Sequence, residues 1–158
     1  MILDGMALLC EPYLLDPRPT GVHVAWHTGR PGTRHAVLVG PAVAAMSDRQ
    51  AADTTGDGPG WRLFPADTIR LSRTREDAAT VAGGQPPTGP TRRPVHRHLA
   101  QVTGLAAGRS PYRVISVDGA EVTVSATYTL APAAPAGSPV RLLLSSDHQL
   151  KPMVPANI

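Results

Sequence analysis

Gly21-Val22-His23-Val24-Ala25-Trp26-His27-Thr28 carries the clearest pattern in the chain. Val22, Val24 and Trp26 fall on one side of a pleated strand and His23, Ala25 and His27 on the other, the period-two signature of a strand half buried in a sheet. Trp26 belongs in the core on this reading. Toward the N-terminus, residues 7–15 (ALLCEPYLL) are apolar but contain Pro12, which has no N–H for a ladder and confines a strand there to a sheet edge. Asp16-Pro17-Arg18-Pro19 reads as a turn. Toward the C-terminus, Gly29-Arg30-Pro31-Gly32 is a second turn, and 36–39 (AVLV) is a second apolar run of strand length.

Residues 42–52 are rich in Ala and predict a short helix with a thin apolar stripe of Val43, Met46 and Gln50. Residues 53–60 (DTTGDGPG) are loop; Asp53 and Asp57 lack the alternating acidic positions and closing Glu of a calcium loop. Residues 68–74 alternate again, Ile69 and Leu71 opposite Arg70 and Ser72, and 82–94 are too polar and proline-rich to pack. Strands are then predicted over 95–103, 112–117 and 121–130, the last two joined by the tight-turn pair Asp118-Gly119. Val122, Val124, Ala126 and Tyr128 share one face of the last. About seven short strands with turns between them and a buried Trp predict an all-β fold, an antiparallel β-sandwich over residues 7–130.

The character changes at 131–139 (APAAPAGSP), a stiff linker poor in side chains. The run 140–144 (VRLLL) that follows reads as a strand buried on both faces, as at the centre of an α/β sheet. It ends in Ser145-Ser146-Asp147-His148-Gln149, and 140–158 are expected to be only the start of a second domain.

The chain has 158 residues, 42% of them hydrophobic, enough for one real core without a metal or disulfide staple. Cys10 stands alone and forms no internal bridge. The 15 Gly and 17 Pro favour short strands over long helices, and no apolar run approaches the roughly 18 residues that span a bilayer. The net charge of +3 is small and dispersed. Its densest stretches, Arg70, Arg73 and Arg75, then Arg92, Arg93 and Arg97, have hardly an aromatic nearby to stack on a base, and read as solvated strand faces. No nucleic-acid and no membrane partner is expected. The opening MILDGMALLC lacks a basic leader region and is interrupted by Asp4, so a cytoplasmic location is the expectation.

Val102-Thr103-Gly104-Leu105-Ala106-Ala107-Gly108-Arg109-Ser110-Pro111-Tyr112 resembles the turn between the last strands of fibronectin type III domains, where Leu and Gly precede a strand-initiating Tyr. That resemblance implies a tyrosine corner, the Tyr112 ring on the core edge and its hydroxyl bonded back to upstream backbone. Leu105 and Tyr112 are one residue further apart than usual, which implies a bulged loop. Residues 21–28 look like the Trp-bearing strand of the same fold. Pro12-Tyr13-Leu14-Leu15, the strand after it, the Ala-Pro linker and Leu142-Leu143-Leu144-Ser145-Ser146-Asp147-His148-Gln149 together resemble bacterial calcineurin-like metallophosphoesterases with a purple acid phosphatase type N-terminal domain.

In that family a fibronectin-like sandwich precedes a two-metal phosphoesterase domain whose first strand ends in Asp-x-His. The resemblance implies Asp147 as a metal ligand; the family's His falls on Gln149, with His148 one residue early. Two-metal hydrolysis needs a bridging carboxylate and several further ligands, which the family takes from later strands of the catalytic domain. A divalent metal pair (Fe, Mn or Zn) is therefore expected only in a full-length protein, with no complete catalytic set and no bound metal in this chain alone. The expected function is a non-catalytic accessory sandwich whose partner is the catalytic domain in cis. The alternative is a free-standing fibronectin-like module that binds protein or glycan through its loops.

Other chemistry-bearing residues read as structural. His96 and His98 lie two apart on one strand face, as two zinc ligands can, but no third ligand is near in sequence; a solvent-facing or backbone-bonded pair is expected. His23 and His27 lie two pleats apart. Cys10 reads as a buried apolar residue, with no basic neighbour to lower its pKa. Trp61, beside Gly60 in a loop, is the aromatic placed to line an interface.

Overall fold

The computed structural model describes residues 6–71 and 94–139. Among them the strands are β1 (Tyr13–Arg18), β2 (Gly21–Thr28), β3 (Arg34–Val39), β4 (Arg62–Arg70), β5 (His96–Thr103), β6 (Ser110–Asp118), β7 (Glu121–Val124) and β8 (Tyr128–Leu130). All pairings are antiparallel, in the order β1-β2-β5-β4-β3-β6-β7, with β8 also on β6. One sheet holds β1, β2, β5 and the second half of β4; the other holds the first half of β4, β3, β6, β7 and β8. The order is that of an immunoglobulin-like sandwich.

The two sheets are continuous through β4. Its residues up to Pro65 pair with β3, Pro65 opposite Ala36, and from Ala66 onward they pair with β5, Ala66 opposite Ala100. A proline at the changeover fits, because it has no ladder hydrogen to lose. Strands that switch sheets in this way form the corners of sandwiches.

Between the sheets Val22, Val24 and Trp26 of β2 pack with Val37 and Val39 of β3, Val102 of β5 and Val114 of β6. The alternation in residues 21–28 therefore points where the sequence says it should. Ala25, on the other side of β2, is buried as well. The AVLV run of β3 is buried on both faces, since Leu38 and Ile115 turn away from the sandwich interior into a second apolar cluster with Val43 and Ala51. That cluster is roofed by a 3-10 turn (Pro41–Ala45) and the helix α1 (Asp48–Asp53). Gly40 leads into the roof at φ 145°, and a Cβ there would lie 2.3 Å from the Gly60 carbonyl oxygen, so the close approach of 40 to 60 requires glycine.

Several local expectations are corrected. Asp16-Pro17-Arg18 continues β1 instead of turning: the register shifts between Leu15 and Arg18, and Asp16 takes up the irregularity at φ 48°, an Asp-tolerant left-handed conformation. β1 does lie at the sheet edge, with Pro12 just outside it. The single helix over 42–52 is two pieces, because Ser47 caps α1 and starts it anew: its Oγ accepts from the Gln50 amide at 3.2 Å while Gln50 Oε1 accepts from the Ser47 amide at 2.9 Å. The strand over 68–74 starts earlier, at Arg62. The single strand over 121–130 is broken at Ser125, whose hydroxyl accepts from the Val114 amide at 3.0 Å and donates to the Ala126 carbonyl at 2.7 Å. Val124 consequently packs into the roofed cluster and Tyr128 into the core between the sheets, and Val122 is exposed.

Buried Arg113 secures this region. Its guanidinium donates to the Ser125 carbonyl at 2.7 Å and the Met46 carbonyl at 3.0 Å, and reaches Asp48 at the start of α1. Arg34 holds the other end through the carbonyls of Ala52 and Thr54, where a cation meets the negative end of the helix. The 131–139 stretch carries no helix or strand, and the Ala133 amide donates to the Arg18 carbonyl at 2.9 Å, so it leaves the sandwich along the end of β1. Among the described residues no helix is long and apolar enough to cross a membrane.

Candidate functional site

Asp147, His148 and Gln149, the residues the metallophosphoesterase resemblance singles out, lie outside the described residues, as do Arg73, Arg75 and 82–93. Among the described residues no group of three or more His, Cys, Asp or Glu side chains is arranged to hold a metal ion. His96 and His98 are not a solvent-facing pair. Both point into the sandwich, in phase with Ala100 and Val102, and His98 is fully buried.

At the end of the sandwich where β2 finishes and β3 and β5 begin, the core turns polar. His98 from one sheet stacks on His35 from the other, ring centroids 3.6 Å apart and planes 15° from parallel, with Trp26 tilted against His98 at 5.4 Å. Every ring nitrogen of the stacked pair has a partner. His35 Nε2 lies 2.6 Å from the Pro31 carbonyl oxygen and therefore carries hydrogen. Its Nδ1 then accepts from the Ser116 hydroxyl at 2.9 Å, while Ser116 Oγ itself accepts from the Trp26 indole N–H at 2.9 Å. On the other ring the Thr28 hydroxyl donates to the Arg30 carbonyl at 2.5 Å, so Thr28 Oγ1 accepts from His98 Nε2 at 2.7 Å. His98 Nδ1 is left to accept from the Thr68 hydroxyl at 2.8 Å. Both rings are thus assigned as neutral Nε2–H tautomers by the donors and acceptors around them.

The electrostatics agree. Burial, reinforced by the neighbouring His35, His96 and His27, pushes the His98 pKa down to about 3. Burial also lowers His35, against the Pro31 carbonyl and Asp118, which favour its charged form. His96 is lowered by burial and by Arg70, and its Nδ1 is buried with no hydrogen-bond partner among the described residues. These histidines stand neutral at physiological pH and are turned toward one another. They are not poised to take up a metal or a substrate proton.

Elsewhere, Cys10 is exposed, contrary to its reading as a buried residue, and its Sγ lies 3.3 Å from His27 Nδ1. Partial desolvation nonetheless raises the thiol pKa, and desolvation lowers that of His27, so the two do not form a thiolate–imidazolium pair. The Tyr112 ring packs at the core edge beside Tyr128 as the tyrosine-corner resemblance implies, but among the described residues its hydroxyl bonds to no upstream backbone. The loop before it is instead tied down by the Leu105 amide, which donates to the Thr20 carbonyl at 2.9 Å.

Trp61 stands between two open grooves. One, of about 640 Å³, is lined by Met46, Gln50, Asp53, Thr55 and Asp57; the other, of about 320 Å³, by Arg62, Phe64 and Leu105. The indole lies against Gly58, whose added Cβ would sit 2.1 Å from the ring, and donates to the Gly56 carbonyl at 3.2 Å. Many of the polar groups lining these grooves are already engaged: Asp57 accepts from the Leu63 amide, Asp53 pairs with Arg49, and Arg62 donates to the Thr103 carbonyl. The described surface therefore offers a held aromatic ledge at Trp61. No family model matches the chain, and neither a curated protein nor a solved structure gives a significant match to it.

Proposed function

We propose that this chain is a non-catalytic accessory β-sandwich of a two-metal phosphoesterase. The observation that carries the reading is an immunoglobulin-like sandwich with Trp26 inward on its second strand and Tyr112 near the start of its sixth, followed directly by an Ala-Pro linker and the sequence LLLSSDHQ. On this reading the metal pair and the remaining ligands come from a catalytic domain in cis.

The purified chain, given manganese or zinc, is expected not to hydrolyse p-nitrophenyl phosphate, and clear metal-dependent turnover would overturn the accessory reading. Coding sequence downstream of Ile158 should supply further Asp, Asn and His motifs; a stop codon there would favour a free-standing binding module. Trp61 between its two grooves is the observation on the side of that second reading. Titration with oligosaccharides or peptides would then change tryptophan emission, and Trp61→Ala would abolish the change.

A further inference from the structure

The buried polar layer joins the two sheets at one end of the sandwich only; toward the other end the interior is apolar, with Val22, Val39 and Val102. Its central contact is a face-to-face stack of one imidazole from each sheet, 3.6 Å between centroids. Hydrogen bonding in the layer runs in one direction around each ring, and both directions presuppose neutral imidazoles. A proton added to His35 Nδ1 would face Ser116 Oγ, which already accepts from Trp26, and would turn the serine hydroxyl away from its acceptor. A proton added to His98 Nδ1 would likewise reverse its bond with Thr68. A second proton would place like charges at stacking distance.

We infer that the His35–His98 stack is a proton-operated latch: it holds this end of the sandwich shut while both rings are neutral, and the end opens first when either takes a proton. The charged and titratable groups around it give a proton little to settle on. His98 is faced by His35 of β3, His96 of its own strand and His27 of β2, and none of these offers a negative charge. His35 is faced by Asp118 of β6, the one carboxylate that favours its charged form, and by Arg34 and His96, which oppose it. Arg70 of β4 acts on His96 in the same opposing sense. A buried histidine disfavours its charged form, so the opened state takes up the proton that the closed state refuses.

Side-chain nitrogen NMR on the full chain tests the latch directly. Both rings are expected as Nε2–H tautomers at pH 7, with His98 still neutral below pH 5 and His35 titrating below its ordinary value; a midpoint near 6.5 for both in the folded chain would overturn the inference. Denaturation followed by tryptophan emission should show the folded-to-unfolded ratio falling by roughly tenfold per pH unit below about pH 6.5 on account of His98, with His35 adding to the fall. In His98→Gln, which keeps a hydrogen-bonding side chain but cannot titrate, this dependence should become shallower by about one proton. Lower stability with an unchanged pH slope would show a merely structural residue and sink the latch. Amide exchange, corrected for intrinsic rates, should lose protection first at Thr28, His35 and His98 as pH falls, with Val24 and Val102 still protected; uniform loss would contradict opening at one end.

Discussion

Ser116 illustrates how much one hydroxyl can hold. It is fully buried on β6, accepts from the Trp26 indole and donates to His35, and so ties a strand of each sheet to the same oxygen. Removing it leaves a buried N–H and a buried imidazole nitrogen unpaired, each of which carries a desolvation penalty. Ser116→Ala is expected to lower stability by about 1–3 kcal/mol, read from the midpoint of chemical denaturation. Sequence reasoning placed Trp26 correctly because alternation identifies an inward face. The histidines were misread on the strength of residue type, although His96 and His98 are in phase with Ala100 and Val102, and that phase alone puts them inside. What no pattern along the chain discloses is the set of partners, since Thr28, Thr68, Ser116 and His35 come from four different strands.

Helix α1 shows an element whose stability lies in its ends. With only Asp48–Asp53 it is too short to persist on its own, since helix nucleation is unfavourable and few turns follow to repay it. It is held by the Ser47–Gln50 capping box, by Arg113 at its start and by Arg34 at its finish, and so roofs Leu38 and Ile115. Ser47→Ala should cost about 1 kcal/mol by thermal or chemical unfolding and leave the strand signal in circular dichroism unchanged. The split of 42–52 into two pieces was legible, for Ser47-Asp48-Arg49-Gln50 is an S-x-x-Q start signal. The break at Ser125 was not. Alternation continues through it, while in the fold the Ser125 hydroxyl takes the Val114 amide and turns to the Ala126 carbonyl where β7 stops.

For the molecule as a whole, the histidine layer sets how stability responds to acid. The His98 pKa is about 3 in the folded chain against 6.5 when unfolded, so the folded state is fully favoured above the unfolded value and loses stability as pH falls between the two. His98 alone should remove about 2 kcal/mol between pH 7 and pH 5, measured as the change in unfolding free energy across a buffered series. The fold class was legible from strand spacing and turns, because an immunoglobulin-like sandwich is built from many short, similarly patterned segments. The metal-ligand reading at Asp147, His148 and Gln149 rests on resemblance alone, since those residues lie outside the described structure.

The passage of β4 from one sheet to the other has a kinetic side. Its first half closes a neighbouring pairing with β3, but its second half must wait for β5, and β5 must also find β2 some seventy positions earlier in the chain, Thr28 opposite His96. Neither sheet can be completed while the other is absent, so the rate-limiting ensemble must bring distant segments together through costly loop closures. Refolding should accordingly be slow, on the order of milliseconds to seconds. A strand that belongs to two sheets couples the completion of one half-sandwich to that of the other.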